Sequence, residues 1–183
     1  ISSIIPFCAA GNNFPLALPC QELKGVLVAC FVANLSSIIL DYCGRMKIGG
    51  LHLNYFLIKQ FPVLPPESYS DDDIQYISKR VLRLTYTNCE MKQWANDLGY
   101  EGDPFEFNST ERAGIQAEID VYFAKLYGLC RDEVEFILDP ESIKPGYPSE
   151  TFAVLKRNEE RAYGEYRTQR LVLEAWDKLE AGD

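Results

Sequence analysis

The chain has 183 residues, 47% of them apolar and 25% charged, with a formal net charge of −9. Those values are ordinary for a soluble globular protein of one large or two small domains, able to bury roughly 70% of its unfolded surface. Six cysteines without a CxxC pair and a single histidine, His52, argue against a structural zinc site, which takes four closely spaced thiolate or imidazole ligands.

Charge is unevenly spread. Residues 1–66 carry four Lys/Arg and two acids, a surplus of two, whereas 67–183 carry 14 basic and 25 acidic residues, a deficit of eleven. Such asymmetry lets one half face a polyanion while the other is a solvated scaffold. A surplus of two is small, so duplex DNA is expected to bind this chain weakly when it stands alone.

Taken in chain order, the apolar opening Ile1-Ser-Ser-Ile-Ile5, the Gly11-Asn12-Asn13 turn signal and Phe14-Pro-Leu-Ala-Leu-Pro19 predict strands and turns over 1–20. With no initiator methionine, the chain reads as a carboxy-terminal fragment cut within a domain. Residues 22–46 predict one helix, because Leu23, Val26, Leu27, Cys30, Phe31, Leu35, Ile38 and Tyr42 recur at helical spacing. Asp41 and Arg45 form a favourable i,i+4 pair on it. Its apolar part, Gly25–Leu40, falls short of the ~20 residues that span a bilayer and reads as a buried helix, so no membrane is expected. Cys30 and Cys43 read as small buried hydrophobes. With no signal peptide and no disulfide-like spacing, a cytoplasmic location is expected.

The Gly49-Gly50 pair follows the helix end, and Pro62, Pro65 and Pro66 mark a domain boundary. Beyond it, Ser70 and Asp73 predict a capping box ahead of the stripe Ile74, Ile77, Val81 and Leu84. A loop runs through Leu98–Pro104. A second capping pattern at Asn108–Glu111 precedes Ile115, Ile119, Tyr122, Phe123 and Leu126, a stripe ending at Gly128. Arg131–Leu138 is a short helix stopped by Pro140, and 139–149 reads as a loop. The final segment, 150–179, is helical with a break near 158–164, where Gly164 costs about 1 kcal/mol relative to alanine. The resulting fold class is mainly α with a small β portion, divided into 1–66 and 67–183.

Asn34-Leu-Ser-Ser37, Leu40-Asp41, Arg45, Lys47, Gly49-Gly50, Asn54-Tyr55-Phe56 and the Leu57–Pro66 exit resemble the end of a target-recognition domain. Such domains occur in type I restriction specificity subunits and in single-chain restriction–modification methyltransferases. Residues 84–100, 118–139 and 163–177 resemble the tails of single-chain adenine-N6 methyltransferases of the type IIG and bacteriophage-exclusion kinds. The resemblance spans about residues 3–179. It implies a parent that flips an adenine from duplex DNA and methylates its N6 with S-adenosylmethionine, with or without a fused endonuclease. The chain itself holds neither an NPPY-type motif nor a glycine-rich cofactor loop. An ExK pattern occurs as Glu22-Leu-Lys24 and Glu90-Met-Lys92, without the Pro-Asp of a nuclease.

By this resemblance the chain selects sequence and performs no chemistry. No catalytic, metal or cofactor-binding residue is expected in it. Its partners are duplex DNA and the catalytic domain of its own parent. The expected DNA-binding residues are Arg45, Lys47, Gly49, Gly50, His52, Asn54, Tyr55 and Lys59, with Arg45 and Lys47 on phosphates and His52, Asn54 or Tyr55 near base edges. The same cluster also reads as a solvated helix end. A second function class is a protein-interaction module, whose acidic helical tail docks a nuclease, helicase or methyltransferase subunit.

Overall fold

The structure, a computed structural model, describes residues 2–6, 16–18, 23–48, 55–148 and 151–182. Ten α-helices and two short 3-10 helices hold 68% of the described residues, and no strand occurs among them, so the described part is mainly α. The strands expected over 1–20 are absent from 2–6 and 16–18; the turn at Gly11–Asn13 lies outside the described residues. A strand needs an edge to pair with, and Ser2 is held by a helix instead. Its N–H donates to Ser36 Oγ at 3.2 Å and its hydroxyl to the Val32 carbonyl at 2.9 Å, while Ser36 Oγ donates to the Ser2 carbonyl at 3.1 Å.

The chain forms two compact units, 1–108 and 109–183. The first contains α1 (Gly25–Ser36), α2 (Ile38–Lys47), α3 (Tyr55–Ile58), α4 (Asp71–Thr85) and α5 (Lys92–Asp97). Its core is the packing of α1 on α4, where the small buried Ala29, Cys30 and Ala33 of α1 accompany Ile77, Val81 and Leu82 of α4. Small side chains let the helix backbones approach closely. The proline exit at 62–66 lies inside this unit, between α3 and α4.

The single helix expected over 22–46 is two helices, bent by 54° at Ser37. Ser37 leaves helical geometry (φ −65°, ψ 148°) and caps α2, accepting from the Leu40 N–H at 3.4 Å. Its own hydroxyl and N–H return to the Asn34 carbonyl at 2.8 and 3.2 Å. A serine hydroxyl that satisfies both helix ends outcompetes continued helix. No single helix among the described residues is long and apolar enough to cross a membrane; α1 and α2 reach that length and hydropathy only as the bent pair.

The expected capping box of α4 is present: Asp73 N–H donates to Ser70 Oγ at 3.2 Å and Ser70 N–H to Asp73 Oδ2 at 2.7 Å. After α5, Tyr100 of the expected loop stacks at 5.1 Å on Phe105 just beyond it, and both meet the buried Tyr86 edge-on.

The second unit contains α6 (Ser109–Leu126), α7 (Arg131–Leu138), α8 (Pro140–Ile143), α9 (Ala153–Tyr163) and α10 (Arg167–Ala181). Helix α10 packs mainly on α6, with Val172, Ala175 and Trp176 buried alongside Ile115, Ile119 and Phe123. Pro140 ends α7 and also starts α8, because its missing N–H is unneeded at a first helical position. The expected loop there is therefore partly a helical turn. The break expected near 158–164 falls at Gly164, whose φ of 77° is the left-handed geometry that ends α9.

Candidate nucleic-acid interface at the end of α2

The last turn of α2 carries Arg45, Met46 and Lys47, all exposed, and cations at a helix carboxyl end are favoured by its dipole. Arg45 Nε donates to Asp41 Oδ1 at 3.0 Å, the i,i+4 pair expected from spacing. Lys47 reaches out of its helix: Nζ donates to the Gln60 carbonyl at 3.2 Å. The Gln60 side chain in turn donates Nε2–H to the Phe56 carbonyl at 3.2 Å. Beneath these contacts, the buried Gly44 lies so close to Phe61 that a Cβ there would sit 3.3 Å from the ring. The end of α2 and the 59–61 turn are thereby fixed against each other.

Helix α3 divides its four residues by burial. Leu57 and Ile58 are half-buried, whereas Tyr55 is 60% and Phe56 73% exposed. Lys59 is exposed just beyond it. Of the expected DNA-binding residues, Arg45, Lys47, Tyr55 and Lys59 are thus on the surface of the first unit; Gly49, Gly50, His52 and Asn54 lie outside the described residues. Spacing alone did not single out Met46, Phe56 or Gln60. The available signal was Tyr55-Phe56 preceding Leu57-Ile58, an apolar run too long for one short turn to bury on both sides.

What holds this surface is the Asn34–Ser37 segment. Asn34 is fully buried, and its Oδ1 accepts the Leu64 N–H at 2.9 Å, tying the proline exit to α1. Ser37 caps the helix that presents Arg45 and Lys47. Asn34 and Ser37 are therefore structural supports for the exposed residues.

Chemically, the surface offers two ammonium groups and one guanidinium with two aromatic faces and a thioether. Cations of this kind neutralise phosphates, and aromatic faces stack on bases. Among the described residues, the glycines of positive φ stand singly at helix ends or turns, and no group of three or more His, Cys, Asp or Glu is placed to hold a metal. Asp73 of the acidic run is engaged in its cap.

The described residues of the second unit include a broad depression of about 470 Å³, lined by Glu141, Tyr147, Lys156, Arg157 and Glu160 among others. Lys156 Nζ donates to the buried Asp139 at 2.6 Å, and that hydrogen bond pushes the lysine pKa upward. The rim mixes both charge signs and presents no consistent field to a ligand. Along α9 and α10, Arg170 pairs with Glu165 and Glu174 at 2.9 Å, and Arg167 lies 4.9 Å over the Tyr163 ring. These arginines thus have partners within the bundle.

No protein-family model, no curated protein and no solved structure matches this chain.

Proposed function

We propose that the chain is the target-recognition and helical bracing part of a restriction–modification type, S-adenosylmethionine-dependent DNA adenine-N6 methyltransferase. It holds duplex DNA and performs no chemistry of its own. The observation that carries this reading is the exposure of Arg45, Lys47, Tyr55 and Lys59 around a helix end braced by Lys47 and Gln60. In a chain of net charge −9, exposed cations and aromatics joined through the Lys47–Gln60–Phe56 bonds fit an anionic, base-bearing partner. Methyl transfer and its cofactor belong to the catalytic core of the parent, and cytoplasmic DNA is its expected setting.

The test uses this chain in its parent, behind a methyltransferase core. The parent should methylate adenine N6 on duplex DNA, and Lys47→Ala with Lys59→Ala should raise KM for DNA while kcat holds. No transfer to adenine on any duplex would overturn the reading.

A second reading, a module that docks a nuclease, helicase or methyltransferase subunit, is favoured by one observation: Met46 and Phe56 are 66% and 73% exposed and apolar. Under it, the same lysine substitutions leave DNA affinity and its salt dependence unchanged.

A further inference from the structure

Resting on the DNA reading above, we propose that Phe56, with Tyr55 beside it, is a base-stacking element, and that the nucleic acid bound here is unstacked at the point of contact. A single exposed phenylalanine is unremarkable on a protein surface. Phe56 differs in its company and in its support. It is 73% exposed next to a 60% exposed Tyr55, on a turn whose following residues Leu57 and Ile58 pack inward. Its backbone is tethered by Gln60 Nε2 to the Phe56 carbonyl, and Gln60 is in turn tethered by Lys47 Nζ to the Gln60 carbonyl, both at 3.2 Å. The ring is thereby mounted on the turn that carries Lys59 and that Lys47 braces.

Charge selects the occupant. Lys47 and Lys59, with Arg45 on the same helix end as Lys47, favour a polyanion, and exposed aromatics on the turn that Lys47 braces are matched by a ligand carrying phosphate and π-surface together. Nucleobases supply both. Inside an intact B-form stack, base faces are covered, so Phe56 can reach one only where a step is opened or the strand is single. Apolar wedges that open a step in this way kink the duplex. The Phe56 ring takes the place of one stacking neighbour, and no bond is made or broken.

The full 183-residue chain is titrated at low salt into a duplex carrying 2-aminopurine, and into the matching single strand. Binding should brighten 2-aminopurine in the duplex as its step opens. Phe56→Ala should weaken binding about tenfold, the scale of one lost base–aromatic stack. It should also abolish the brightening while leaving the salt slope and thermal unfolding unchanged; Phe56→Trp should restore both lost properties. Lys47→Ala with Lys59→Ala should instead flatten the salt slope. Duplex binding with no brightening and an unaffected Phe56→Ala would overturn the stacking inference and leave the DNA reading standing. Binding to the single strand alone would keep the stacking and overturn the duplex reading. No binding to either nucleic acid, with binding of an acidic peptide in their place, would overturn both.

Discussion

Asn34 Oδ1 accepts the Leu64 N–H at 2.9 Å, so a fully buried amide on α1 fixes the proline exit thirty residues later. Prolines cannot join a helix or sheet ladder, and a segment rich in them needs side-chain partners for the few N–H groups it retains. Asn34→Ala should therefore cost about 1–3 kcal/mol, the usual penalty for an orphaned buried donor. Urea unfolding gives that figure, and amide exchange at Leu64 should accelerate beyond any global change.

In the second unit, Lys156 and Asp139 meet at 2.6 Å, with the Asp139 side chain only 7% exposed and that of Lys156 25%. Lys156→Ala leaves a carboxylate in the interior without its cation. Losing one partner of a buried pair is costly, and the partial exposure of Lys156 trims the loss to about 2–3 kcal/mol. The lysine pKa is raised in the fold by its bond to Asp139. Its contribution is accordingly complete below the unfolded value of about 10.4 and is lost as pH climbs through the raised folded value. Unfolding free energies measured across the alkaline range should converge for wild type and Lys156→Ala.

The acid side is governed by different groups. Arg131 donates to Asp177 at 2.9 Å and holds the Asp177 carboxyl below its ordinary range, as Arg170 does for Glu165. A depressed carboxylate stabilises the fold above its unfolded pKa of about 3.9 and loses that contribution as pH falls through the folded value. Both pairs are surface pairs, and the effect is small. Asp177→Asn should be slightly less stable than wild type at neutral pH, and the two acid-unfolding curves should merge at the lowest pH.

Cysteine chemistry reports on the first unit. Cys30 is fully buried between α1 and its neighbours, and burial, aided by the charge of Asp73, pushes its thiol up to about 11. Only about one molecule in a thousand is thiolate there at pH 8. In timed alkylation followed by mass spectrometry, the exposed Cys89 and Cys130 should react well ahead of Cys30. Cys30 should react only at the rate at which α1 opens from α4; labelling of Cys30 as fast as Cys89 would contradict the packing.

Much of the fold is legible in the sequence where local chemistry decides it. Ser70 and Asp73 announce α4, Arg131–Leu138 emerges as α7 at both ends, and Gly164 marks the break between α9 and α10. Two elements escaped because non-local or competing bonds decide them. The apolar, β-branched opening satisfies the strand pattern, yet Ser2 bonds to α1. The period of 22–46 continues through Ser37, yet its hydroxyl breaks the helix. At the candidate site, the cations were legible as a charge cluster. The exposure of Phe56 was not, since spacing cannot tell which residues of an apolar run the core has room for.

Under the proposed function, Arg45, Lys47 and Lys59 form a phosphate-binding face. The salt dependence of duplex binding, read as fluorescence anisotropy, decides this for the wild-type chain and the triple variant Arg45→Ala, Lys47→Ala, Lys59→Ala. Each phosphate contact adds about 0.9 to the slope of log K against log salt. The account predicts that the slope falls by about 2–3 in the variant, with affinity dropping most at low salt. An unchanged slope and affinity, in a variant that unfolds at the wild-type temperature, would contradict it.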